Sequence, residues 1–174
     1  MTDPERVAHP ERIAASLPAG FGVIYRHFGA SDRFVVGARL ARVCRSRRLV
    51  LLVSADPLLA MRIKADGVHW PEASLRGVRP AHPRWIETAS AHSRASIARA
   101  KSLNVDAVFF SAVFESASPS AGAPCGAMRF GIMAGRSRFP VYALGGVTHA
   151  NAARAMRHAA GWAAVEAVMS GWKD

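Results

Sequence analysis

Residues able to do chemistry collect in a few short stretches of this 174-residue chain. One is Gly145-Gly-Val-Thr-His-Ala-Asn151, directly after the apolar run Val141 to Leu144. Adjacent glycines let a backbone turn sharply and leave its N–H groups uncovered. Thr148 suits the cap of a helix that opens with Ala150 and Asn151. Uncovered N–H groups and the positive end of a helix dipole, both facing the Gly145-Gly146 turn, make a cradle for an anion such as phosphate. The same glycines also suit a plain tight turn. Arg26 is the side-chain candidate for an anion partner, because its planar fork matches phosphate or carboxylate. Its other reading is a surface ion pair with Asp32 or another acid. Ser116 and Ser118 lie in the Ser/Ala/Pro/Gly-rich stretch Ser111 to Gly126, where their hydroxyls could meet a substrate. So long a connection is either functional or a flexible linker. His69 reads as a packed core residue, and His27, beside Arg26, faces either substrate or solvent.

Alternating strands and helices must position these groups. Phe21 to Tyr25, Leu49 to Val53, Gly67 to Trp70, Trp85 to Ala89, Asp106 to Phe110, Val141 to Leu144 and Gly161 to Val165 read as strands. Helices are expected over Val36 to Arg45, from Asp56-Pro57 onward, over Ala91 to Leu103 behind a Ser90 cap, over 127–135 and over Ala150 to Ala159. A short helix, Glu166 to Gly171, closes the chain. Strands alternating with helices predict an α/β fold, a parallel sheet with helices packed on it. Seven strand–helix units in sequence favour a TIM-type (β/α) barrel over a doubly wound sheet, although such a barrel has eight strands. The expected organisation is one domain over residues 1–174.

Composition narrows the partners. No apolar run approaches the ~18 residues of a membrane helix, and the polar start Met1-Thr-Asp-Pro-Glu-Arg is unlike a secretory signal. Cys44 and Cys125 are far apart and lack metal-type spacing, so a reduced, cytoplasmic protein is expected. The net charge of +11 comes almost wholly from arginine. Only Arg45-Ser-Arg-Arg48 is clustered, at an expected helix end where cations meet the dipole. Nucleic acid is therefore not the expected partner.

Several segments, in order, resemble the thiamine phosphate synthase / thiazole tautomerase family. Ala65-Asp-Gly-Val-His69 is similar to its Ala-Asp-Gly-Val-His, and Ala143-Leu-Gly-Gly-Val147 with Asn151 to its Ile-Gly-Gly-Ile-x-x-x-Asn. Val23-Ile-Tyr-Arg26, Val53-Ser-Ala-Asp56, Ala89-Ser-Ala-His-Ser93 and Ser111-Ala-Val-Phe-Glu-Ser116 resemble the family's second-strand, Asn-Asp, Ser-Ala-His and Pro-Val-Phe segments. The resemblance implies a TIM-type barrel. Thr2-Asp3 resembles the turn that ends its first strand, so the chain is expected to lack that strand.

The resemblance also implies a site. The synthase joins a pyrimidine pyrophosphate to a thiazole phosphate, with Mg²⁺ and cations taking up the charge of the leaving pyrophosphate. Of the family's strand-two Gln, Arg and Lys, only Arg26 is kept, beside Ile24 and Phe28. The positions of the metal aspartates hold Ala55 and Ser74, and Asp56 is one residue away. The Thr-x-Thr-Lys loop becomes Ser116-Ala-Ser118-Pro119, and a helix-start serine becomes Glu166. Mg²⁺ thus stays open as a cofactor with no metal ligand assigned, and full synthase chemistry is not expected. The thiazole-phosphate side is kept, with Gly145, Gly146, Ser90, Ser116 and Ser118 expected to bind and Arg26 to assist catalysis. A tautomerase of this family moves a proton on a thiazole carboxylate phosphate without Mg²⁺, and its histidine matches His92. A solvent-facing residue of a first helical turn is the other reading of His92. The expected partner is a small phosphorylated thiazole, the reaction a synthase-type transfer or a tautomerase-type isomerisation, and a homodimer is an option. A non-catalytic barrel that binds a phosphorylated ligand is the remaining alternative.

Overall fold

The computed structural model describes residues 1–4, 7–75, 82–116, 118, 122–137 and 139–165. The chain divides into two compact units, Met1–His69 with Arg76–Ile86, and Trp70–Leu75 with Glu87–Asp174. The predicted helix Glu166 to Gly171 lies outside the described residues.

In the first unit, short apolar runs form β1 (Gly22–Tyr25), β2 (Val50–Ser54) and β3 (Gly67–Trp70). They pair in parallel, with Val23 opposite Leu51 and Val53 opposite Val68. Val23, Ile24, Tyr25, Leu51, Leu52, Val53 and Val68 are all buried, as expected of strands covered on both faces. Between them run α1 (Pro10–Ser16), α2 (Arg33–Arg47) and α3 (Pro57–Ile63). α2 buries Val36, Gly37, Leu40, Ala41 and Cys44, one stripe at helical spacing. It ends where Arg48 takes a left-handed conformation. The expected start of α3 holds: Asp56 Oδ1 accepts the Leu59 N–H at 2.8 Å and Pro57 opens the helix. Thr2 lies along β1, its N–H donating to Ile24 O at 2.8 Å and its Oγ1 accepting the Arg26 N–H at 3.0 Å.

In the second unit β4 (Ile86–Ala91), β5 (Ala107–Phe110), β6 (Val141–Ala143) and β7 (Gly161–Trp162) are again parallel. The helices are α4 (Arg94–Ser102), α5 (Gly126–Gly135) and α6 (His149–Met156), and a 3₁₀ turn spans Glu72–Ser74. One expectation is corrected here. Ser90 does not cap a helix, because pairing with β5 carries β4 two residues further, through Ser90 opposite Phe109 and Ala91 opposite Phe110. The cap falls to Ser93, whose hydroxyl accepts the Ser96 N–H at 3.1 Å while the Ser96 hydroxyl accepts the Ser93 N–H at 3.0 Å. Among the described residues the fold is thus α/β with seven strands, each unit built from parallel neighbours.

Candidate functional site

The loops at the C-terminal ends of β4, β5 and β6 carry most of the expected site. After β6 the chain turns through Gly145 (φ +88°) and Gly146 (φ +62°). A Cβ at 146 would stand 1.9 Å from Glu115 O, and one at 145 would stand 2.8 Å from Ala112 Cα. Glycine is therefore needed twice over, for the left-handed backbone and for the close approach of 112–115. That neighbour is tied on: Val113 N–H donates to Leu144 O and Phe114 N–H to Gly145 O, both at 3.0 Å. The front of the long loop is a rung against the glycine turn and not a free linker. Asn151 locks the other side, its Nδ2 donating to Gly146 O at 2.9 Å and its Oδ1 accepting the Thr148 N–H at 2.8 Å. The carbonyls of the turn are thus spent. Among the described residues the N–H groups of Gly145, Gly146 and Val147 have no acceptor. Three donors without an acceptor thus precede the α6 N-terminus.

His92 follows β4 in a connection ahead of Ser93, so it is not a first-turn helix residue. Its Nδ1 lies 2.7 Å from Glu72 Oε2, and its backbone N–H donates to the same oxygen at 2.9 Å and to Ser96 Oγ at 3.0 Å. The side chains of His92 and Glu72 are 49% and 26% exposed. Glu72 was not among the expected site residues. The available signal was its place just past β3, at the strand end where parallel-sheet sites collect. Ser111 links the two features within the unit. Its N–H donates to Ala91 O at 3.0 Å, and its Oγ lies 3.0 Å from the position of a Cβ on Gly145. Ser90 is half-buried in β4. Ser116 Oγ accepts the Ser118 N–H at 3.2 Å, a contact within the loop.

Arg26 follows β1 in the first unit. Among the described residues its guanidinium has no carboxylate partner, so the ion pair with Asp32 is not formed. His69 is 1% exposed. Burial first, then Arg26 and the N-terminal amine, push its pKa down to about 3, which keeps the ring neutral. This agrees with the packed reading. His27 does not face solvent. It is buried, stacked on Tyr25 at 4.8 Å with Nδ1 3.2 Å from Thr2 Oγ1, and burial lowers its pKa.

The donors for Mg²⁺ do not fit. Ala55 has none. Both Asp56 oxygens are engaged, Oδ1 by the Leu59 N–H and Oδ2 by Arg33 Nη1 at 2.8 Å. Arg33 Nη2 donates in addition to Ser54 O at 2.9 Å, so a fixed guanidinium already sits on that carboxylate. Among the described residues no group of three or more His, Cys, Asp or Glu side chains could hold a metal ion. Asp66 Oδ2 accepts the Leu51 N–H at 2.8 Å, so this carboxylate orients the β2 backbone.

The arginine cluster is also used internally. Arg45 donates to Ile63 O and Arg47 to Leu17 O, both at 3.1 Å. No helix among the described residues is long and apolar enough to cross a membrane.

Residues 2–168 match the family model described as thiamine monophosphate synthase. The thiamine-phosphate synthase of Methylococcus capsulatus is 34% identical over 180 residues, which cover 95% of this chain and 79% of that protein. A protein of Aquifex aeolicus with the provisional name thiamine-phosphate synthase 2 is 33% identical over 119 residues, or 67% of this chain. The match spans 64% of that relative's own length, less than two thirds. Among solved structures, the thiamine phosphate pyrophosphorylase from Pyrococcus furiosus superposes with a TM-score of 0.80 at 22% identity, over 98% of this chain and 86% of that one. At that identity the likeness is one of fold.

Proposed function

The chain belongs to the thiamine monophosphate synthase family, and from that membership we propose that it binds a phosphorylated thiazole and moves a proton on it. The observation that carries the reading is the set of uncovered N–H groups at Gly145, Gly146 and Val147, fixed by the rung to Val113 and Phe114 and by Asn151. These donors and the α6 dipole suit a dianionic phosphate. Ser90, Ser116 and Ser118, in the same unit as the turn, are its further contacts in this reading.

Proton transfer is preferred to condensation because the charge-handling parts of a pyrophosphate-leaving reaction are poorly served. Asp56 is occupied by Arg33 and by its own helix, and Ala55 offers no ligand. Isomerisation asks for less. One C–H bond of the thiazole carboxylate breaks, its proton passes to Nε2 of His92, and the same proton returns to another atom of the substrate. Nothing is oxidised, reduced or released.

The test is direct. Purified protein is titrated calorimetrically with thiazole phosphate, then given thiazole carboxylate phosphate with isomer conversion followed by NMR. Binding and conversion without added Mg²⁺ are expected. Formation of thiamine phosphate from the pyrimidine pyrophosphate with Mg²⁺ would overturn the preference and restore the transferase reading. Binding without either turnover would leave a phosphate-ligand-binding barrel.

A further inference from the structure

Two N–H groups of His92 meet one carboxylate oxygen of Glu72, an arrangement that surface chemistry does not require. Glu72 Oε2 accepts from both the ring and the backbone of His92, at 2.7 and 2.9 Å. The backbone N–H is already served by Ser96 Oγ at 3.0 Å, and Ser96 is buried within the α4 cap. Glu72 is therefore not needed to satisfy it. Nor does the pair gain much as an exposed ion pair, since solvent screens it. What the double contact does is fix the ring. A carboxylate only accepts, so a short contact to Nδ1 requires the proton there. The tautomer of an imidazole is set by the bond its other nitrogen makes. Nε2 is left with the free lone pair, and among the described residues it has no partner.

Glu72 is itself held. Trp70 Nε1 donates to Glu87 Oε2 at 3.0 Å, fixing the end of β3 against β4 within the second unit. The 3₁₀ turn closes through Ser74 N–H to Pro71 O at 2.9 Å and Leu75 N–H to Glu72 O at 3.2 Å, and Leu75 is buried. A carboxylate on an anchored turn, bound twice to one histidine, is an orienting device in the sense of a base held by a third group.

We propose that Glu72 is a positioning residue that holds His92 in the Nδ1–H tautomer and so presents Nε2 as the base. The role rests on the proton-transfer reading given above, but the positioning itself is observable without substrate. In ¹⁵N-histidine-labelled protein, the neutral His92 ring is expected to show a protonated Nδ1 and an unprotonated Nε2. Glu72→Ala shifts it toward the Nε2–H form, and Glu72→Gln, which keeps an accepting oxygen, retains most of the Nδ1–H form. Isomerisation follows the tautomer: kcat falls about 10- to 100-fold in Glu72→Ala with KM within about twofold, and Glu72→Gln recovers most of it. Thermal unfolding of both variants, monitored by circular dichroism, controls for folding. An unchanged His92 tautomer in folded Glu72→Ala overturns the proposal. A shifted tautomer with isomerisation unaffected by either Glu72→Ala or His92→Ala leaves the positioning intact and removes the proton-transfer reading instead.

Discussion

His69 and His92 stand at the ends of short strands, yet they differ in burial, with 1% exposure for His69 and a 49% exposed side chain for His92. His69 is enclosed and uncharged, with a folded pKa of about 3 against 6.5 for the unfolded side chain. Between those values the unfolded chain binds more protons. The stability that depends on neutral His69 is therefore complete above pH 6.5 and is lost as pH falls toward 3. Urea unfolding should show a decline of up to about 1.4 kcal/mol per pH unit from this group. His69→Gln should flatten that part of the slope while lowering stability at neutral pH. An unaltered slope would mean that other groups govern acid unfolding. His92 is half-exposed, and His92→Ala should reduce isomerisation by about 10²- to 10⁴-fold while leaving thermal unfolding nearly unchanged. Some of this was legible in the sequence. The apolar neighbours of His69 marked it as packed, and the place of Asp56 before a proline marked it as a cap. Glu72 was not legible, because its bond to His92 joins residues 20 positions apart. Only the observed ends of β3 and β4 bring them together.

Strand ends and helix caps decide which residues reach the site. Sequence reasoning placed the cap on Ser90, one of two serines in Ser90-Ala-His-Ser93. Pairing with β5 ranks them, since it extends β4 through Ala91 and moves the cap to Ser93. Asp56 shows the converse case, in which a local rule was sufficient. Asp56→Ala should cost about 1–2 kcal/mol from the lost cap and the lost Arg33 pair. Isothermal titration should find its Mg²⁺ affinity no different from that of the parent protein. A marked loss of Mg²⁺ binding would show that the carboxylate does ligate metal. Gly146→Ala should be far more damaging than an average turn substitution. Its Cβ meets the Glu115 carbonyl oxygen while the backbone is held at φ +62°. Weakened thiazole phosphate binding, by tenfold or more, is expected in calorimetry along with a lower unfolding temperature.

At the scale of the whole molecule, the strand–helix alternation was the most legible property, because buried parallel strands are short apolar runs that stand out between amphipathic helices. The charge of +11 was harder to interpret from sequence. Arg45 and Arg47 are now seen to bind backbone carbonyls, which makes their cluster a packing feature. The remaining positive field should still favour anionic ligands. Thiazole phosphate affinity should weaken several-fold between about 0.05 and 0.5 M salt, while a salt-insensitive constant would point to recognition through the turn's N–H groups alone. The rung from Val113 and Phe114 to the glycine turn has one more consequence, in the time domain. Those two amides belong to a loop by sequence but are bonded like strand residues. In deuterium exchange they should open as slowly as β6. Ligand occupancy of the turn should therefore register as added protection at Val113 and Phe114, giving a kinetic reporter of binding on residues that need never touch the ligand.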